Sequence, residues 1–481
     1  MNRRKFLTQT ACVVGTAAGQ SSFASALQTV SGVQEVLVTL DPAQTLGVVS
    51  SEFMGLGYEI SSVARPGLFS ARNTDYVALV RTLGARGVIR IGGNTSDYAS
   101  YSPNGQPLSS PEGKAGSIVN AEVIRDLGTF LEATGWDLIW GLNLGNGSQD
   151  NAIEEAKAVT AAAKEHLLAF EIGNEPDLFP NREAHRQSGY GYEDYLGEYR
   201  KWRDTLRKAI PNVPLAGPDV ADATDWVTRF AMDEGKDIKL LTHHYYREGQ
   251  NPTSSIDKLL HPDPKLAPTL AKLRAASESS GVPYRICETN SFSGGGRPGV
   301  SDTFASALWV LDFMFTLASA GCSGVNMETG VNHRGFISSY SPIGDDEHGH
   351  YSATPEYYGM LAFAQAGKGR FIKADIKAES QNVKAYATQQ EKGSVVLALI
   401  NKEPLSDAMV RIVGVPNLNR ATVLRLPGPS IDSKTGVSLG GATVTESGMW
   451  KPSHPQDASV SAGRINLKLP AASAAIVTLH I

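Results

Sequence analysis

Two stretches decide how this chain folds: Phe170-Glu171-Ile172-Gly173-Asn174-Glu175-Pro176 and Arg285-Ile286-Cys287-Glu288-Thr289-Asn290. Each is a short, largely apolar run that ends abruptly in polar residues, and each of those ends carries a glutamate. Six further runs share this form, so that the full set is 53–60, 87–94, 137–145, 166–175, 213–220, 238–246, 284–290 and 321–329. Runs without clean polar alternation suit parallel strands buried on both faces. The segments between them, among them 74–83, 120–134, 153–164, 192–210, 268–280 and 301–320, repeat apolar residues at helical spacing.

Alternating strands and helices fit either an open doubly wound sheet or a closed barrel. The polar strand ends choose between them. Tyr58-Glu59, Asn94, Asn143, Asn174-Glu175, Asp219, His243-His244-Tyr245, Glu288 and Glu328 are costly to bury separately, and a barrel gathers every strand C-terminus around one mouth. The expected fold is α/β, a (β/α)8 TIM barrel over residues 51–370. Beyond it, alternating runs such as 383–389, 394–401, 408–413, 422–426 and 476–481 read as an accessory antiparallel β-sandwich domain, 371–481. An N-terminal strand within 27–50 is expected to join it. Gly92-Gly93 and Gly294-Gly295-Gly296 lack the helix and acidic residue of a dinucleotide fingerprint.

The chain has 481 residues, a formal net charge of −5 and 41% hydrophobic residues. That balance gives no attraction for nucleic acid or for an anionic membrane surface. Asn2-Arg3-Arg4-Lys5-Phe6-Leu7, a short apolar stretch and Ala24-Ser25-Ala26 read as a twin-arginine-type export signal over 1–26, cleaved after Ala26. Such a stretch is too short for stable membrane insertion. The expected location is periplasmic or secreted. Only Cys287 and Cys322 remain after the signal, too few for a disulfide framework.

Two carboxylates on one rim are what glycosidic cleavage requires: an acid for the leaving oxygen and a second carboxylate at the anomeric carbon, about 5 to 5.5 Å away in a retaining enzyme. Asn-Glu-Pro closing the fourth run and a glutamate closing the seventh resemble the large clan of retaining hydrolases built on this barrel. That resemblance makes Glu175 the acid/base, Glu288 the nucleophile and Asn174 the ligand of the sugar 2-hydroxyl. Thr242-His243-His244-Tyr245-Tyr246, the run Glu288-Thr289-Asn290-Ser291-Phe292-Ser293-Gly294-Gly295-Gly296 with Ser301-Asp302-Thr303-Phe304-Ala305, Arg90-Ile91-Gly92-Gly93-Asn94 and Gly57-Tyr58-Glu59 narrow it. They resemble the heparanase and β-glucuronidase family, glycoside hydrolase family 79.

The family implies a glucuronic-acid-containing glycan or glycoside as partner, retention of configuration, no cofactor and no metal. It implies that Glu59 and Asn94 contact ring hydroxyls, that Tyr245 lines the pocket, and that the amides of Gly294 and Gly295 receive the uronate carboxylate. The sequence departs from the family where tyrosines also hold that carboxylate: Ser293 and Phe336 stand there, with His333, Arg334, Arg297 and Tyr340 as alternative donors. Strand alternation sets His243 and His244 on opposite sides and turns Cys287 away from Glu288, as a packed thiol. Glu328 reads equally as a substrate contact or as part of a buried network. Exo action on a terminal β-linked glucuronic acid is the expectation. The alternatives are endo action on a uronic-acid polymer, a neutral β-glycoside as substrate, and sugar binding without catalysis.

Overall fold

In a computed structural model of the protein, the described residues are 34–106, 116–181, 185–332, 338–390, 393–453 and 455–481. The expected export segment, and His333, Arg334 and Phe336, lie outside them. Strands β1 (Gly55–Glu59), β2 (Val88–Gly92), β3 (Asp137–Leu142), β4 (Leu167–Ile172), β5 (Leu215–Val220), β6 (Leu240–Tyr246), β7 (Tyr284–Asn290) and β8 (Val325–Glu328) close into a barrel. Every neighbouring pair is parallel, and β8 returns to β1 with Glu328 opposite Gly57. Each strand falls inside one of the eight apolar runs, and the fold is the expected barrel.

Among the described residues, eight helices of ten residues or more surround it: α1 (Thr74–Leu83), α2 (Ala121–Thr134), α3 (Gln149–Ala163), α4 (Tyr192–Ala209), α5 (Thr224–Glu234), α6 (Leu266–Ser280), α7 (Phe304–Ser319) and α8 (Pro355–Ala366). Their ends are set locally. Asn120 accepts hydrogen bonds from the amides of Glu122 and Val123 to start α2, and Gly135, at φ 74°, ends it. Helix α7 is apolar almost all round because it lies between the barrel and the second sheet, where Phe315 stacks on Tyr386 with centroids 4.9 Å apart. Among the described residues no helix is long and apolar enough to cross a membrane.

The second sheet is one continuous array of ten strands, which includes the N-terminal strand Gln34–Val49. That strand runs antiparallel to Gly369–Lys377 but parallel to Ala408–Val413, so the sheet is mostly antiparallel, as expected, with a parallel pairing at this strand. Strand Val395–Asn401 shows how it joins the barrel. Val395, Leu397 and Leu399 enter the sheet's own core, whereas Val396, Ala398 and Ile400 belong to the apolar cluster of the barrel and its helices. With both faces covered, alternation disappears from the sequence of that strand.

Two irregularities prepare the barrel mouth. Pairing slips between Pro218 and Val220 on β5 and between Ile286 and Glu288 on β7. Such bulges turn a side chain to a face that regular alternation would deny it. At the opposite end of the barrel, buried Arg285 donates to Asn326 Oδ1 (2.6 Å) and to the carbonyls of Glu52 (3.0 Å), Val325 (3.2 Å) and Phe53 (3.4 Å). Arg285→Met strands these acceptors, and urea unfolding is expected to show a loss of about 2 to 4 kcal/mol. A loss below about 0.5 kcal/mol, the range of neutral surface changes, would contradict this role.

Candidate active site

Arg90, at the centre of β2, is completely buried and sends its guanidinium up the barrel axis. Gly92 makes this possible, since a Cβ there would lie 2.8 Å from Arg90 Cζ. The guanidinium donates to Glu171 (3.2 Å), Asn174 Oδ1 (2.8 Å), Asp219 (2.7 Å) and Glu288 Oε2 (2.8 Å). Burial opposes the charge, but Asp219, Glu171 and Glu288 outweigh it and hold the group firmly protonated. Burial, with Asp219 beside it, pushes Glu171 up to about 7.

His244 on β6 forms the second link. Its Nδ1 lies 3.0 Å from Glu175 Oε1 and 3.7 Å from Glu288 Oε2, and its Nε2 lies 2.8 Å from Asp219 Oδ1. Carboxylates at both ring nitrogens call for two donors, which the imidazolium supplies. Burial works against that form, yet Asp219 and Glu288 raise the pKa well above its ordinary value. Arg90 Nη2 also approaches Nε2 at 3.3 Å, and both share Asp219. Asp219 is itself held below the usual carboxylate range, the pull of Arg90 and His244 overcoming its burial.

Glu175 follows β4 with φ 49° and ψ 54°, a left-handed conformation that costs a non-glycine residue about 1 to 2 kcal/mol. Its amide is fixed on the carbonyl of Asp219 at 2.8 Å. Glu288 receives one donor at each oxygen, Arg90 at Oε2 and the Tyr246 hydroxyl at Oε1 (3.1 Å). One carboxyl oxygen of Glu175, one of Glu288 and a nitrogen of His244 all lie within 4.8 Å of one another. Both ring nitrogens of His244 already face carboxylates, and Arg90 brings a positive charge to the same place, so the trio suits a cation poorly.

Asn174 Nδ2 donates to Asn94 Oδ1 at 3.2 Å. Glu59 accepts from the amides of Asn94 (3.2 Å) and Thr95 (2.8 Å) and from Thr95 Oγ1 (2.6 Å). Burial and the nearby Glu288 raise its pKa. After β7, Gly294, Gly295 and Gly296 turn the chain with φ of 81°, 90° and 74°. A cavity of about 510 Å³ lies beside the mouth, between the loops that follow β1 and β8; it is lined by Arg65, Arg72, Asp345 and Tyr351 and is not lined by Glu175 or Glu288.

Residues 385–476 match the family model of the glycosyl hydrolase family 79 C-terminal beta domain. A beta-glucuronidase of Aspergillus niger is 26% identical over 387 residues, covering 71% of this chain and 68% of that protein. A heparanase of Mus musculus is 23% identical over 419 residues, 73% of this chain and 76% of that one. Among solved structures, a 4-O-α-L-rhamnosyl-β-D-glucuronidase from Fusarium oxysporum has a TM-score of 0.76 at 20% identity, over 92% of this chain and all of that one. The C-terminal sheet thus matches the family 79 beta domain, and the chain as a whole is similar to beta-glucuronidases and heparanases. It is a glycoside hydrolase.

The hydrolase brings Glu175, Glu288, Asn174, Asn94 and Glu59 together at the mouth, with the turn at Gly294 and Gly295 on its rim. Tyr245 is not with them. Its hydroxyl donates to Asp263 at 2.6 Å and its ring stacks on Phe313, on the outside of β6, so the expectation that it lines the pocket is corrected in favour of Tyr246. His243 also faces away from the axis, with neither ring nitrogen hydrogen-bonded and its pKa lowered to about 3 by burial. Cys287 is a buried thiol, but it lies within 4.8 Å of Glu171 and Asp219 inside the barrel. The bulge on β7 lets it share a side with Glu288, against the expectation from alternation.

Sequence reasoning gave no role to Arg90, His244, Asp219, Glu171 or Tyr246. One signal was present: Thr242, His244 and Tyr246 recur at the spacing of one strand face. Because the folded pKa of His244 is raised, its contribution to stability is complete below the unfolded value of about 6.5 and is lost as pH rises through the folded value. Urea titrations should therefore show His244→Gln destabilised most below about pH 6.5, with the gap to wild type closing at higher pH. A gap that widens with pH would contradict a charged His244.

Proposed function

We propose that this hydrolase removes a terminal β-linked glucuronic acid by double displacement with retention, Glu175 serving as acid/base and Glu288 as nucleophile. The observation that carries the reading is the approach of the two carboxyl groups to within 4.8 Å, oxygen to oxygen, in keeping with the short separation of retaining glycosidases. Glu175 gives its proton to the glycosidic oxygen as that bond breaks, and a Glu288 oxygen bonds the anomeric carbon. Glu175 then takes a proton from water, whose oxygen displaces Glu288 and regenerates both groups. Arg90 and Tyr246 hold Glu288 in one orientation throughout, and His244 aligns Glu175.

In this reading Asn174, itself held by Arg90, binds the sugar 2-hydroxyl, and Glu59 and Asn94 bind its neighbouring hydroxyls. For Gly294 and Gly295, no hydrogen bond from either amide occurs among the described residues, which leaves both to a uronate carboxylate. The similarity to beta-glucuronidases supports that substrate. Exo action is supported by the two loop segments that carry short ribbons, Ser100–Tyr101 with Ile118–Val119 and Ile343–Asp345 with Tyr351–Ala353. Export by way of the arginine pair and small-residue site within 1–26 completes the proposal.

The test is hydrolysis of nitrophenyl β-glucuronide beside the β-glucoside, β-galactoside and β-xyloside. The expected result is selective glucuronide turnover, falling by at least about a hundredfold in Glu175→Gln and Glu288→Gln. Preference for a neutral glycoside would sink the uronate assignment while sparing the catalytic pair. Cleavage confined to a uronic-acid polymer would select endo action.

A further inference from the structure

Glu328 ends β8 with a carboxyl group to which no other described residue gives a hydrogen bond or an ion pair. The residue is 5% exposed, its Oε2 has no hydrogen-bond partner, and no cation among the described residues pairs with it. Room for it comes from Gly57 across the β8–β1 pairing, where a Cβ would stand 2.8 Å from Oε2. A buried polar atom left unpaired is destabilising, a cost removed when a ligand draws the carboxyl group into a hydrogen bond.

Glu328 shares a wall with the glycine turn. Asn290 Nδ2 donates to the carbonyls of Glu328 (3.2 Å) and Tyr340 (2.9 Å) and to Glu356 Oε1 (3.0 Å). The amide of Ser339 donates to Gly295 O at 2.6 Å. The end of β8, the segment carrying Tyr340 and the turn at Gly294 to Gly296 are thereby fixed to one another, on the side of Glu288 away from Asn174 and Glu175.

We propose that Glu328 is a specificity-determining residue whose carboxyl group, together with the amides of Gly294 and Gly295, donates a hydrogen bond to the carboxylate of the sugar held beside Glu288. The inference rests on the glucuronide reading above. A carboxyl group can donate only while it carries its proton. Burial first, and then Glu288 and Glu59, raise the pKa of Glu328 well above the ordinary value, and Arg90 and His244 pull against them without prevailing. Among the described residues, Tyr58 on β1, Tyr246 on β6 and Tyr340 complete the titratable surroundings. All three tyrosines are pushed up, so none adds a negative charge there at neutral pH. Once ionised, Glu328 would repel the sugar carboxylate it otherwise holds.

The experiment compares kcat and KM for nitrophenyl β-glucuronide across pH in wild type, Glu328→Gln and Glu328→Ala, with thermal unfolding of each. Glu328→Ala should lose roughly ten- to a hundredfold in kcat/KM, chiefly through KM. Glu328→Gln, which keeps a donor that cannot ionise, should stay within about threefold of wild type at acid pH and hold its KM to higher pH. A Glu328→Gln enzyme whose KM rises at the same pH as that of wild type overturns the inference, as does a folded Glu328→Ala with unchanged KM. Should Glu328→Ala fail to fold, the Glu328→Gln profile alone decides. A wild type that ignores the glucuronide overturns the reading beneath, and the inference falls with it.

Discussion

The guanidinium of Arg90 is the one group on which both halves of the catalytic mouth depend. It joins Glu288, Asn174, Asp219 and Glu171 without exposure to water. A buried cation with incomplete partners would cost several kcal/mol, and a buried carboxylate with none would cost as much, so the cluster holds only as a set. Asp219 passes the constraint on, through its side chain to His244 and through its carbonyl to the amide of Glu175. Glu175 and Glu288 are thus held by opposite ends of one ionic network. The network also fixes the dipoles at the mouth, the condition under which electrostatic stabilisation acts without reorganisation.

Regular strands would not have delivered these groups. In β7 a slip between Ile286 and Glu288 lets Cys287 and Glu288 both face inward, one filling the barrel and the other reaching the mouth. In β5 a slip beside Pro218 accompanies the left-handed conformation of Asp219, and Glu175 adopts the same region after β4. Local strain of this kind persists only where surrounding contacts over-determine it. Here those contacts are Arg90, His244 and the backbone bond from Glu175 to Asp219. The ten-stranded sheet supports the arrangement from outside, since its strand Val395–Asn401 buries alternate residues against the barrel's own apolar cluster.

The barrel was legible because parallel strands buried on both faces must be apolar throughout, and because polar strand ends need a common mouth. Glu175 and Glu288 were legible for the same reason, standing at the ends of two such runs. Arg90 was not, since an arginine inside an apolar run carries no mark of where its guanidinium goes, and only the missing side chain of Gly92 makes the space. Tyr245 and Tyr246 were confused because Thr242 to Tyr246 is polar on both faces, so hydrophobicity could not set which tyrosine turns inward. Cys287 was misplaced because a bulge is invisible to a period of two. The parallel pairing of Gln34–Val49 with Ala408–Val413 joins residues far apart in sequence, and no local pattern records it.

The central claim is that Glu288, gripped by Arg90 and Tyr246, attacks the anomeric carbon. It is tested most directly by trapping the enzyme with a 2-deoxy-2-fluoro-β-glucuronosyl fluoride, whose fluorine slows release of a covalent intermediate, and mapping the modified peptide by mass spectrometry. The account predicts one fluoroglucuronosyl group per chain, on Glu288, in a protein that has lost activity. A label on any other residue, or inactivation with no covalent label, would contradict it.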